Sequence, residues 1–129
     1  MDDTSILFYS EDHEWVRDDG DRLVVGITDY AQSALGDLVF CDMPAEGDQA
    51  VAGEQIMEVE STKTVSAVIS PVSGRLVEVH DAVGSNPNWI NDDPYGDGWL
   101  FAVTPTDRSE LDALMDETAY LTYVEGLSN

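Results

Sequence analysis

Lys63 is the only lysine in 129 residues, set against four arginines at 17, 22, 75 and 108. A primary amine forms amides and Schiff bases, whereas a guanidinium stays protonated and serves charge recognition. Ser61, Thr62 and Thr64 surround Lys63, so no bulky neighbour shields it. A Schiff-base nucleophile needs a desolvated lysine in a pocket. Glu58 and Glu60 nearby offer the opposite surroundings, and a covalent modification of an exposed amine fits better. The other reactive side chains have plainer readings. Cys41 is alone, which rules out an intrachain disulfide and suits a small buried hydrophobe. His80, Trp89, Tyr95 and Trp99 read as packing and loop anchors. Asp92-Asp93 lacks metal-ligand spacing and reads as a solvated loop.

The flanking segments place Lys63 at a turn. Met57 and Val59 alternate with Glu58 and Glu60, the period of a strand with its acids facing solvent. Downstream, Val65, Ala67 and Ile69 alternate with Thr64, Ser66 and Val68. Only a tight turn fits between two such strands, so Lys63 is expected at a hairpin apex. Upstream, strands are expected at Asp12 to Arg17 and Leu23 to Ile27, joined by the turn signal Asp18-Asp19-Gly20-Asp21. Thr28 or Asp29 can cap a short helix, with Gln32 placed as in a capping box, and Gly36 can end it.

From Gly36 the chain repeats itself. Gly36-Asp37-Leu38-Val39-Phe40 is similar to Gly74-Arg75-Leu76-Val77-Glu78, and each is followed by a glycine turn, at Gly47 and Gly84. Each copy ends in a glycine-led strand, Gly53 to Val59 and Gly98 to Val103, the second after a longer loop over 85–97. Neither half buries a hydrophobic face alone, so the two are expected to pack as a small pseudo-twofold flattened barrel or sandwich. The C-terminus reads as helix over about 109–127. Ser109 is placed to cap, Leu111, Leu114 and Met115 form one stripe, and Tyr120, Tyr123, Val124 and Leu127 continue the spacing.

Composition narrows the function classes. The length fits one domain, 1–129, and a 43% hydrophobic content is that of a globular chain. Twenty-seven acids and five bases give a net charge of −22, which repels nucleic-acid phosphates and anionic membranes. The acids either adapt the whole surface to salt or steer docking onto basic partners; their spread from Asp2 to Glu125 suits the first. Met1-Asp2-Asp3-Thr4-Ser5 has neither a secretory n-region nor transit-peptide character, and a cytoplasmic location is expected.

The motifs together resemble a known family. Gly47-Asp48, Gly53, Val59-Glu60-Ser61-Thr62-Lys63 and Ser70-Pro71-Val72-Ser73-Gly74 are similar to biotinyl and lipoyl carrier domains. Biotin sites usually place methionine on both sides of the lysine; Thr62 and Thr64 stand here, and Glu-Ser-Thr-Lys resembles the site of glycine cleavage H proteins. Glu11-Asp12-His13-Glu14-Trp15-Val16, residues 25–32, Leu35-Gly36-Asp37, Val79, residues 91–99 and the terminal helices agree with that family. The resemblance runs roughly from Phe8 to Tyr123.

The resemblance implies a mainly β barrel-sandwich hybrid, lipoyl-domain-like, with its core at about 36–104. It implies lipoate in amide linkage to Lys63, with the group doing the chemistry while the protein presents it. The partners implied are a pyridoxal-phosphate glycine decarboxylase (P protein) and a folate-dependent aminomethyltransferase (T protein). Dihydrolipoyl dehydrogenase (L protein) and a lipoyl-attaching enzyme complete the set. The carrier would shuttle an aminomethyl group among them without catalytic residues of its own. Glu60 is expected to be read by the attaching enzyme, the plainer alternative being a solvated strand face. His13 and Glu14 match a segment lining a cleft for the loaded arm, Glu14 being the better partner for a protonated amine. The family often has an acid four residues after the lysine, where this chain has Ala67. A lipoyl relay, or a lipoyl or biotinyl carrier domain of another multienzyme complex, stays open on sequence alone.

Overall fold

A computed structural model describes residues 6–127; residues 1–5 and 128–129, including the N-terminal segment read above for targeting, lie outside the described part. Three strands open the chain: β1 (Leu7–Tyr9), β2 (Glu14–Asp18) and β3 (Leu23–Ile27). Helix α1 (Asp29–Leu35) follows, then β4 (Leu38–Asp42), β5 (Gln49–Ala50), β6 (Gln55–Ser61), β7 (Val65–Ile69) and β8 (Gly74–Val79). Short helices α2 (Asp81–Ser85) and α3 (Asn88–Asp92) precede β9 (Phe101–Pro105). A 3-10 helix (Arg108–Ala113) and α4 (Glu117–Leu127) close the chain.

The strands form two antiparallel sheets, one ordered β1-β2-β3-β9-β8-β5 and the other β4-β6-β7. The result is an open sandwich, mainly β, rather than a closed barrel. Both faces of β3 are covered, which explains the unbroken run of buried residues Leu23–Ile27. Leu23, Val25 and Ile27 join Leu38, Cys41, Met57, Val59, Val68, Leu76 and Phe101 in the core between the sheets. Val24 turns to a second cluster with Tyr9, Trp15, Ala102 and Tyr120, where α4 covers the sheet. Gly26 pairs with Trp15 on β2, and a Cβ there would lie 2.6 Å from the indole.

The internal repeat is visible in the pairing. β4 pairs with β6 and β8 with β9, so each copy's first strand meets the strand that ends that copy. Each pairing also slips in register just after the matched leucine, between Leu38 and Phe40 and between Leu76 and Glu78. The extra residue of a bulge is left outside the ladder, and Val39 and Val77 are both exposed.

Several local expectations are corrected, and some open alternatives are decided. Gly84 lies inside α2 rather than in a turn, and the loop over 85–97 contains α3. Of the two cap candidates, Thr28 is the one that caps α1, accepting from the Ala31 amide at 3.2 Å, while Asp29 accepts from Gln32 Nε2. Asp107, not Ser109, caps the C-terminal turn, which is a 3-10 helix ending at Ala113. Met115 therefore leaves the helical stripe and bridges to Tyr9 as backbone. Along β7 the inward residue is Val68, because Val65 pairs with Glu60 and Val68 with Met57. Among the described residues no helix is long and apolar enough to cross a membrane.

Candidate functional site

Lys63 is exposed in the turn between β6 and β7. Ser61 builds that turn: its amide donates to Thr64 C=O at 2.8 Å, and its buried hydroxyl oxygen accepts from the Lys63 and Thr64 amides, each at 3.1 Å. A serine side chain substituting for backbone partners in this way is a common turn device. The turn is also tied to the segment after α1, since the Thr62 amide donates to Asp37 C=O at 3.1 Å. Lys63 Nζ donates to Ala34 C=O at 3.3 Å. That carbonyl sits in the last turn of α1, where acceptors lack partners within the helix. Gly36, at φ 87°, leaves room for the lysine stem; a Cβ there would stand 3.0 Å from Lys63 Cε. No carboxylate pairs with Lys63 among the described residues.

Asn91 of α3 holds this segment from below. Its Nδ2 donates to Gly36 C=O and to Gln32 Oε1, both at 2.9 Å, and its Oδ1 accepts from the Leu38 amide at 2.9 Å. Gly36, Asp37 and Leu38 are thus fixed directly beneath the Lys63 turn. Sequence reasoning passed over Asn91 as part of a loop motif. Only its three long-range bonds identify it, and no local pattern announces them.

Glu60 is exposed on the outer face of the smaller sheet, between Phe40 on β4 and Val65 on β7. In the next row Glu58 stands opposite Ala67, so a carboxylate occupies the same face from the neighbouring strand.

Glu14 and His13 stand at the other end of the structure that leads from Lys63. β7 begins beside the Lys63 turn and ends at Ile69, whose amide donates to Glu14 Oε2 at 3.3 Å. Helix α1 spans the same interval, from Thr28, whose amide donates to His13 C=O, to the carbonyl that holds Lys63. Four steps of extended strand cover roughly 13 Å, so Glu14 is a distant terminus, not a neighbour of the amine. Its side chain is 2% exposed. Ser10 Oγ donates to Glu14 Oε1 at 2.6 Å, and burial pushes the carboxyl up to about 8 despite that bond. His13, at φ 71°, packs against Tyr30 and Tyr120, and its Nδ1 lies 2.8 Å from Tyr120 Oη. Tyr120 Oη also meets Thr28 Oγ1 at 2.7 Å. Burial lowers the His13 pKa, as it must for a group whose charged form is desolvated. These contacts make His13 a joint between the β2 entry and α4.

The aromatic anchors behave as their composition suggests. His80 stacks on Trp99 at 4.3 Å and donates from Nδ1 to the Trp99 carbonyl at 2.7 Å. Tyr95 Oη accepts from the Asp29 amide. Burial raises the Cys41 thiol to about 11, consistent with an inert core side chain.

Residues 7–126 match the family model described as glycine cleavage H-protein. The chain belongs to the glycine cleavage H-protein family. It is 47% identical over 119 residues to a glycine cleavage system H protein of Anaeromyxobacter sp. (strain K), covering 92% of this chain and 93% of that one. The corresponding protein of Thermus thermophilus is 45% identical over 125 residues, covering 97% and 98%. A crystal structure of a glycine cleavage system H protein from Mycobacterium marinum superposes with a TM-score of 0.81 at 41% identity, covering 95% and 97%. Membership in the glycine cleavage H-protein family makes this chain a lipoyl carrier of the glycine cleavage system.

Proposed function

We propose that Lys63 bears the lipoyl group, in amide linkage, and that the chain is a non-catalytic substrate of three enzymes in turn. These are a glycine decarboxylase, an aminomethyltransferase and a dihydrolipoyl dehydrogenase. The observation that carries this reading is the placement of the chain's only lysine at the tip of a hairpin, exposed and without an ion pair among the described residues. The residues present fit the group: Lys63 Nζ has one carbonyl contact to release, and Gly36 leaves its stem unobstructed. For attachment, the deprotonated Lys63 amine attacks the carbonyl carbon of an activated lipoate. The new N–C bond forms as the activating group leaves with its electron pair, and the nitrogen gives up one proton. When bound, the lipoyl group supplies a dithiolane that interconverts between disulfide and dithiol and carries the aminomethyl group.

Glu14 is the residue proposed to meet the loaded end of the arm, along the interval that α1 and β7 both span. Buried and mostly protonated near neutrality, it would lose its proton when an ammonium arrives, because a nearby cation favours the carboxylate. His13 would support that position through Tyr120 and Thr28 rather than touch the arm. Glu60 is proposed as a residue read by the attaching enzyme.

Intact-protein mass spectrometry tests attachment. Native protein should exceed its sequence mass by one lipoyl group, and Lys63→Arg should lack the increment. A native chain carrying biotin or nothing, or an increment that survives Lys63→Arg, overturns the proposal. For Glu14, Glu14→Gln should speed hydrolytic release of ammonia from aminomethyl-loaded protein. An unchanged rate removes Glu14 from the site.

A further inference from the structure

The outer face of the β4-β6-β7 sheet combines apolar area and one sign of charge beside Lys63. The row nearest the turn reads Phe40, Glu60, Val65 across the three strands, and the next reads Asp42, Glu58, Ala67. Phe40 and Val65 are 53% and 55% exposed, and the bulge leaves Val39 at 52% beside them. Neighbouring strands lie about 4.8 Å apart, so Phe40 and Val65 flank Glu60 at roughly 10 Å from each other.

The charges of the molecule are divided unevenly between its sheets. Arg17 is on β2 and Arg75 on β8; Arg22 pairs with Glu78 of β8, and Arg108 pairs with Asp18 at the end of β2. All four arginines therefore lie on the larger sheet or are bound to it. The smaller sheet presents Asp42, Glu58 and Glu60 with no base except Lys63, whose charge an amide removes.

We infer that this face is the docking surface for the enzyme that acylates Lys63, and that its counterpart there is a basic surface with an apolar centre. The inference rests on Lys63 being the attachment site. Enzymes that act on the dithiolane meet the far end of a long arm. The acylating enzyme must bring its reacting carbonyl to Nζ itself, so the strand rows beside the turn fall within its contact area. Phe40 and Val65 are the apolar anchors. Asp42, Glu58 and Glu60 steer approach and fix orientation, as complementary charges at an interface do.

The test is the rate of acylation of unmodified chain by a purified lipoate–protein ligase supplied with lipoate and ATP. The ligase forms lipoyl adenylate with release of pyrophosphate; Lys63 then takes the acyl group, releasing AMP and a proton. Phe40→Ser and Val65→Ser should each raise the KM for the chain by on the order of ten-fold, the loss expected for an interface anchor. The kcat should stay within about two-fold of native, since the reacting groups are untouched. Asp42→Asn with Glu58→Gln, which changes charge without packing, should raise KM and flatten its increase with sodium chloride. Leu121→Ser, equally exposed at 55% but on α4, should match native protein. A native KM in both apolar variants overturns the proposal. So does a KM effect confined to the decarboxylase, transferase or dehydrogenase steps, which would assign the face to a different enzyme. If the native chain accepts no lipoyl group at all, the attachment site itself is wrong; native ligation with unchanged KM in the variants refutes the docking face alone.

Discussion

Replacing Glu14 by glutamine should change how stability depends on pH, in a direction set by burial. The folded carboxyl titrates at about 8 against 4.5 for the free group. Over that interval the folded state holds a proton that the unfolded state has released. Stability is therefore greatest below the unfolded value and is lost as pH rises through the folded one. The slope is about 1.4 kcal/mol per pH unit, and the interval from 4.5 to about 8 corresponds to a loss of about 5 kcal/mol, about 3 of it by pH 7. Glutamine keeps the shape, can accept from the Ile69 amide and can donate to Ser10 Oγ, yet it does not titrate. Urea unfolding of both proteins should be compared from about pH 5 to about pH 9 in ~1 M sodium chloride, where the screening length is about 3 Å and repulsion among the other acids is damped. Glutamine should gain on native protein with each unit of pH, and the gap should level off above about 8. A gap that stays constant across the range would show that Glu14 is not a buried neutral acid. The basis for its proposed response to a cation would then disappear.

Other outcomes follow from the same contacts. At −22, folding gathers like charges that salt screens. The melting midpoint should rise between low and molar sodium chloride, and a flat or falling midpoint would favour partner steering as the account of the acids. Gly26→Ala should destabilise by about 1–3 kcal/mol in chemical unfolding, because its Cβ meets the Trp15 ring; native stability in that variant would contradict the packing described. Asn91→Ala should cost about 1–3 kcal/mol by orphaning the Leu38 amide, and hydrogen exchange should show that amide losing protection. Retained protection would mean that Asn91 is not its partner.

The sequence by itself determined the features that depend on near neighbours. Met57 and Val59 against Glu58 and Glu60 have a strand's period, and three small polar residues around Lys63 leave only a turn, so the reactive amine was legible at its tip. Thr28 and Gly36 bracket α1 because capping chemistry acts within one helical turn. The likeness of residues 36–40 and 74–78 pointed to a repeat, and the structure added its matched pairings, β4 with β6 and β8 with β9, and their matched bulges. Tertiary structure decided what depends on distant residues. Alternation along β7 could not say whether Val65 or Val68 faces inward, because a one-residue slip reverses every side chain; only the pairing of Val65 with Glu60 chose. Leu111, Leu114 and Met115 have helical spacing, but Met115 gives its backbone to Tyr9, a strand partner more than a hundred residues earlier. Glu14 reads as a surface acid, and its raised titration exists because the fold buries it, with the end of β7 against its carboxyl. Asn91 looks like one more loop residue until α3 brings it under Gly36 and Leu38, where backbone groups at the end of α1 need partners that no neighbour in sequence can supply.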